Sequence, residues 1–353
     1  MKSYMVKKYS SLEAYVPGEQ PRDMEYVKLN TNESPFPPSP LVTRAISAEE
    51  IGKLRLYSDP EGKDTRDAIA AHFGVDRGNV LLGNGSDEIL AFAFFAFCSE
   101  ERCVFPDISY GFYKVYAELV GAKYEMIPLR DDFTINVDNY KNAGGTVIIA
   151  NPNAPTGIAL TKDQIETIVS SNKDHVVLID EAYVDFGAES AVGLVGKYDN
   201  LIVAQTFSKS RSLAGGRLGF AIASPSLIDD MNRIKYSLNP YNINRLTLLA
   251  GKAAIEDDGY FSECVGKIIE NRKYLVGELE KRGFYVLPSG ANFVFAKTEK
   301  LGGQALYLAL KNKGVLVRHF DAERINEFVR ITVGTREQIN ILIGKIDEII
   351  GKE

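Results

Sequence analysis

A chain of 353 residues is too long for one small core and sets an expectation of about two domains, one large enough to bury a continuous sheet. Its 45% hydrophobic and 25% charged residues are those of a globular protein, and a net charge of -6 offers no basic stripe for a phosphate backbone, which argues against nucleic acid as a partner. The opening "MKSYMVKKYSSLEAY" lacks the apolar segment of a signal peptide, the longest apolar run, "ILAFAFFAFC", is about half of a bilayer span, and three cysteines and three histidines at irregular spacing form neither a disulfide framework nor a metal pattern, so the expectation is a cytoplasmic protein with no membrane contact and no metal.

Taken in chain order, the first feature is "VKLNTNESPFPPSP" (Val27 to Pro40), whose prolines predict irregular structure. Residues 1–40 are expected to form an arm that joins the smaller domain. A large domain follows over 41–239. In it "NVLLGNGSDEILAFAFFAFC" reads as a strand, a glycine-rich turn and a helix starting near Ser86. The N-terminus of that helix could cradle a phosphate with backbone N–H groups, although Ser86 as a cap and Asp87 and Glu88 on the helix dipole need no ligand.

Four β-rich runs come next: "TVIIA" (Thr146 to Ala150), "HVVLID" (His175 to Asp180), "LIVAQ" (Leu201 to Gln205) and "LGFAIA" (Leu218 to Ala223). Continuous apolar strands alternating with helices predict an α/β fold with a mostly parallel central sheet covered on both faces. Between the first two runs, Thr161 and Gln164 have the spacing of a capping box, and Ile165, Ile168 and Val169 share one face of a crossover helix. After about Asn239 the pattern changes to long amphipathic helices followed by "YVLPS", "NFVFAK" and "VLVRHF", read as strands of a separate, smaller α+β domain over 240–353.

Open parallel sheets bind ligands beyond the carboxyl ends of their strands, and here those ends are polar: "NPNAPTG", "DEAY", "TFSK" and "GNGSDE". Glu88 stands where a dinucleotide fingerprint needs its third glycine, and no G-x-x-x-x-G-K-[ST] or G-x-S-x-G occurs. Lys209 follows a buried run, beside the hydroxyls of Thr206 and Ser208 and with Arg217 eight residues on. Desolvation and nearby cations favour an uncharged, nucleophilic amine that can form a Schiff base with an aldehyde. Pyridoxal phosphate would in addition need anion donors and a carboxylate at its pyridine nitrogen, which Asp180 supplies from a neighbouring strand end, with Tyr183 in reach of the ring oxygen. Without the lysine, Asp180 reads equally well as a turn or cap residue.

"NPNAPTG", "DEAY", "SKSRSLAGGRLG" and "VRITVGTRE", in this order, resemble the motif series of the fold-type I pyridoxal-phosphate aminotransferases, and within them the histidinol-phosphate branch, over nearly the whole chain. The resemblance implies that Lys209 is the Schiff-base lysine, that Asp180 pairs with the pyridine nitrogen and that Tyr183 bonds the ring oxygen. It places Ser86, Asp87, Thr206, Ser208 and Arg217 around the cofactor phosphate, stacks Tyr110 on the ring, and lets Tyr57 reach the phosphate of the other subunit of a homodimer with shared sites. Where many relatives carry asparagine before P-T-G this chain has Ala154, and Asn153 is the candidate replacement. Arg318 and Arg330 are implied to bind substrate anions, with Tyr15 and Asn32 in the arm above them. The implied reaction passes the amino group of L-histidinol phosphate to 2-oxoglutarate. Transamination of aromatic amino acids and decarboxylation of a phosphorylated amino acid fit the same scaffold, and a non-catalytic module of a regulator would need a DNA-binding appendage that the sequence lacks.

Overall fold

The computed structural model describes residues 4–10 and 12–351. The strands are β1 (Val27–Lys28), β2 (Val80–Gly83), β3 (Arg102–Pro106), β4 (Lys123–Ile127), β5 (Thr146–Ala150), β6 (Val177–Asp180), β7 (Leu201–Thr206), β8 (Gly219–Ala223), β9 (Phe284–Val286), β10 (Phe293–Thr298), β11 (Val315–Leu316), β12 (Arg318–His319) and β13 (Val329–Thr332). The α-helices are α1 (Pro40–Ala45), α2 (Ala48–Gly52), α3 (Lys63–Phe73), α4 (Ser86–Phe97), α5 (Phe112–Val120), α6 (Lys162–Ser171), α7 (Pro225–Leu238), α8 (Arg245–Glu256), α9 (Asp258–Glu280), α10 (Gly303–Asn312) and α11 (Arg336–Ile350).

Seven strands form the large sheet in the order β2-β8-β7-β6-β5-β3-β4. Its apolar strands are buried on both faces, and successive residues go to opposite sides: Ile149, Ile179 and Val203 join one core cluster, Ile148, Leu178 and Ile202 the other. The helix between β5 and β6 is the expected one, with Thr161 accepting from the Gln164 amide and Gln164 Oε1 accepting from the Thr161 amide. Its Ile165, Ile168 and Val169 are buried.

The expected sheet gains one detail, and two sequence expectations need correction. The sheet is mostly parallel, but β8 runs antiparallel to both β7 and β2, because the connection after β7 holds no crossover helix and the chain doubles back as a hairpin. The stretch from Val27 is not wholly irregular. Its prolines lie further on, so the Val27 amide donates to Gly314 (2.9 Å) and that of Leu29 to Leu316 (2.8 Å), making β1 a parallel partner of β11. "VLVRHF" is not one strand. It changes partner at the buried Val317, from β1 on one side to β13 on the other.

The smaller sheet, β12-β13-β10-β9, packs its own cluster around Val294, Ile331 and Leu342, to which Leu29 of the arm contributes. Helix α8 packs elsewhere: Leu248, Ala250, Ala254 and Ile255 belong to the cluster of the large sheet, so by packing this helix lies on the large-sheet side of the boundary expected after residue 239. Among the described residues no helix is long and apolar enough to cross a membrane.

One close approach sets where α4 begins. A Cβ on Gly219, which faces Gly83 across β2 and β8, would lie 2.4 Å from the Ser86 amide nitrogen. Gly219→Ala is therefore expected to push the start of α4 outward and destabilise the fold by about 1–3 kcal/mol, to be read as a lower urea midpoint; an unchanged midpoint would remove this constraint.

Candidate active site

In the parallel ladder Ala150 pairs with Asp180, and Asp180 with Ala204, so β5 and β6 end level while β7 runs two residues further, to Thr206. The residues beyond them converge on a cavity of about 560 Å³ between the large sheet, the arm and the small sheet. Its walls bring together Tyr15, Asn32, Ser86, Asp87, Tyr110, Asp180, Tyr183, Thr206, Ser208, Lys209, Arg217, Arg318 and Arg330.

Lys209 sits three residues past β7, and its neighbours are anchored. The Ser210 hydroxyl donates to the half-buried Asp185 at 2.5 Å, and the Arg211 guanidinium donates to the Ala254 carbonyl at 2.7 Å while lying 4.0 Å over Phe261. Among the described residues the Lys209 amine donates only to the Thr31 carbonyl, at 3.3 Å, and it stands 5.7 Å from the centre of the Tyr183 ring. The Tyr183 hydroxyl accepts from Asn32 Nδ2 at 3.1 Å.

Asp180, the last residue of β6, is 5% exposed. It accepts from the Tyr113 hydroxyl at 2.8 Å and from the Ala182 amide at 3.2 Å. Burial pushes its carboxyl up to about 6, against the pull of those two donors. Glu181 behind it is also buried and raised, to about 7, but it accepts from Ser190, Ala191 and Gln205 and lies outside the cavity wall.

The α4 end of the cavity is built for an anion. Gly85, at φ 81°, lets the chain turn into the helix beside Arg217, whose Nη2 would lie 2.4 Å from a Cβ there. Arg217 itself has a left-handed backbone at φ 54°, an arrangement that costs a non-glycine residue about 1–2 kcal/mol and aims the guanidinium back at α4. Thr206 and Ser208 share a hydroxyl–hydroxyl bond of 3.0 Å on the same wall. The Asp87 carboxylate is spent on Tyr110 (2.8 Å) and Arg217 (3.0 Å). What this residue offers an anion is its place in the first turn of α4, not its side chain.

Arg318 and Arg330 are direct partners across β12 and β13. Two guanidinium groups on opposed residues repel, and an anion between them relieves the repulsion. Arg330 is the more buried, which depresses its pKa, and it donates to the Asn30 carbonyl at 3.1 Å; Arg318 reaches the Val16 and Pro17 carbonyls of the arm only at 3.4 and 3.5 Å. Tyr15 packs on Phe112 at 4.7 Å and on Tyr110 at 6.0 Å, closing the arm over the opening.

Two candidate residues are not brought to the cavity. Asn153 is buried, and its amide is engaged by Ser109 (2.7 Å), Ile108 (2.9 Å) and Thr156 (3.1 Å) rather than turned to the cavity. Tyr57 points outward, 82% exposed, and stacks on Tyr241 at 4.5 Å. The sequence does not single out Tyr113, which the structure places on Asp180. Tyr110, just before α5, and Tyr113 and Tyr116 within it recur every three residues, and each hydroxyl goes to α4 or β6: to the Asp87 side chain, to Asp180 and to the Asp87 carbonyl. That spacing was visible in "YGFYKVY", but the acceptors lie on other elements.

The family model for aminotransferase class I and II matches residues 24–346. The chain is 51% identical to a histidinol-phosphate aminotransferase of Brachyspira hyodysenteriae, covering 99% of each chain, and 50% identical to one of Clostridium beijerinckii, covering 98% of this chain and 97% of that protein. Its fold is similar to that of histidinol-phosphate aminotransferase from Sinorhizobium meliloti in complex with pyridoxal-5'-phosphate, with a TM-score of 0.88, 24% identity and coverage of 99% and 98%.

Because the Asp180 carboxyl is raised from the ordinary range near 4 to about 6, the ligand-free native protein holds a proton there that the unfolded chain releases. Its stability contribution is present below about pH 4 and is lost as pH rises through about 6. Asp180→Asn should thus gain stability relative to the unmutated protein across that window, by about 2–3 kcal/mol, in urea melts at pH 4, 5, 6 and 7. A difference that stays constant with pH would contradict this.

Proposed function

We propose, for a chain that belongs to the class I and II aminotransferase family, that it passes the amino group of L-histidinol phosphate to 2-oxoglutarate with pyridoxal phosphate as cofactor, giving imidazole acetol phosphate and glutamate. The observation that carries this reading is the convergence on one cavity of a lysine amine with a long hydrogen bond, a buried carboxylate from the adjacent strand and an anion cradle at a helix N-terminus. The names of the relatives support the choice of substrate, and the opposed arginines support an anionic one.

The residues fit the cofactor. Ser86, Thr206, Ser208, Arg217 and the first turn of α4 would hold its phosphate, Asp180 its pyridine nitrogen, Tyr183 its ring oxygen and Lys209 its aldehyde carbon, while Tyr110 would cover the ring. When bound it supplies an electron sink for the charge left on the substrate Cα. Lys209, once the substrate amine has displaced it, moves the proton off that carbon as general base. Asp180 keeps the sink positive by remaining ionised. Arg318 and Arg330 orient the phosphate of one substrate and the carboxylates of the other, and Tyr15 with the arm keeps water out.

Tyr57 and its stacked partner Tyr241 are exposed, as are Ile51, Leu54 and Leu56 shortly before Tyr57 in the chain and Leu238 shortly before Tyr241, which supports a homodimer in which Tyr57 completes the phosphate site of the second copy. Three free thiols, Cys98, Cys103 and Cys264, suit the reducing cytoplasm.

The test is single-turnover absorbance of the purified holoenzyme with each substrate. Histidinol phosphate should bleach the visible cofactor band and 2-oxoglutarate restore it, and Lys209→Ala should show no such cycle. Arg318→Leu and Arg330→Leu should each slow both half-reactions about 10- to 150-fold, the effect of losing a charge-assisted bond. No bleaching with histidinol phosphate beside rapid bleaching with phenylalanine or tyrosine would transfer the assignment to aromatic amino acids.

A further inference from the structure

Tyr113 lies in α5, fully enclosed between Phe94, Phe105 and Tyr110, whose ring meets it edge-on at 5.6 Å. Its hydroxyl donates to Asp180 Oδ2 at 2.8 Å, while the other oxygen, Oδ1, accepts from the Ala182 amide at 3.2 Å. The carboxylate is thus gripped from both sides, with one donor to each oxygen, and this fixes its plane at the cavity wall.

We propose that Tyr113 is a positioning residue for the amino transfer, its buried hydroxyl holding the Asp180 carboxylate ionised and in place for the cofactor's pyridine nitrogen. The proposal rests on the reading of Asp180 given above. Asp87 on α4 disfavours the negative charge of Asp180, Lys209 beyond β7 favours it, Tyr116 is a phenol near it, and Tyr110 and Tyr183 are phenols around Tyr113. Against that burial and that like charge, the Tyr113 hydroxyl is the strongest opposing influence. Burial and the Asp180 charge in turn keep the Tyr113 phenol protonated, so it remains a donor at any working pH. Without it, the proton shared between Asp180 and the pyridine nitrogen settles on the carboxylate, and the ring loses the charge that makes it an electron sink.

The experiment is nitrogen NMR of the holoenzyme loaded with cofactor labelled with ¹⁵N at the pyridine position, which reads where that proton resides independently of turnover. The unmutated protein should show the protonated nitrogen at neutral pH. In Tyr113→Phe the ratio of protonated to unprotonated nitrogen should fall about 10- to 150-fold, the range for one hydrogen bond to a charged group. Placing p-aminophenylalanine at position 113 keeps the ring's bulk with a weaker donor and should give an intermediate shift, which covers the case of a Phe variant that does not fold. If both variants keep the unmutated signal while Asp180→Asn loses it, the role of Tyr113 is refuted and that of Asp180 stands. If Asp180→Asn also keeps the signal, the reading of Asp180 falls and this proposal with it.

Discussion

Three adjacent parallel strands held in register are the constraint on which the site depends. Parallel pairing in this register puts Ala150, Asp180 and Ala204 side by side, so whatever follows each strand must emerge at one edge. The buried carboxylate, the lysine loop and the turn before the cis prolines meet there for that reason. The antiparallel return of β8 completes the edge from the other side, since its Gly219 lies against the first turn of α4 and its hairpin carries Arg217 back to the same place.

Burying charge at that edge has consequences further out. Asp180 is raised because water is excluded, against the pull of a buried tyrosine hydroxyl and a backbone amide. Asp87 answers the same problem differently, neutralising its charge on Arg217 and a tyrosine hydroxyl. The small sheet adds two opposed cations, which repel until an anion arrives. The site is therefore arranged around charges that an incoming ligand would complete, positive beside α4 and at the small sheet and negative at the end of β6.

The sequence by itself determined the strands β5, β6 and β7, the crossover helix between the first two and the candidates at their ends. Apolar runs, a capping box and polar strand-end motifs are local signals, and the resemblance to a known motif series added the roles of Lys209, Asp180 and Arg217 as expectations. Lys209 and Asp180 were singled out because residues beside them in the chain marked them.

What only the tertiary structure decided depends on neighbours remote in sequence. The direction of β8 followed from a connection without a helix, and the partner change at Val317 from two competing edges, β1 and β13. Asn153 is turned from the cavity because Ser109 and Ile108, more than forty residues away, claim its amide. Tyr113 reaches Asp180 because folding α5 over β6 puts its hydroxyl there, sixty-seven residues further along the chain. Motifs record the bonds that residues make with near neighbours in the chain, whereas hydrogen-bond partners across a fold are fixed only when the core closes and leaves each buried polar group to find whatever acceptor is within reach.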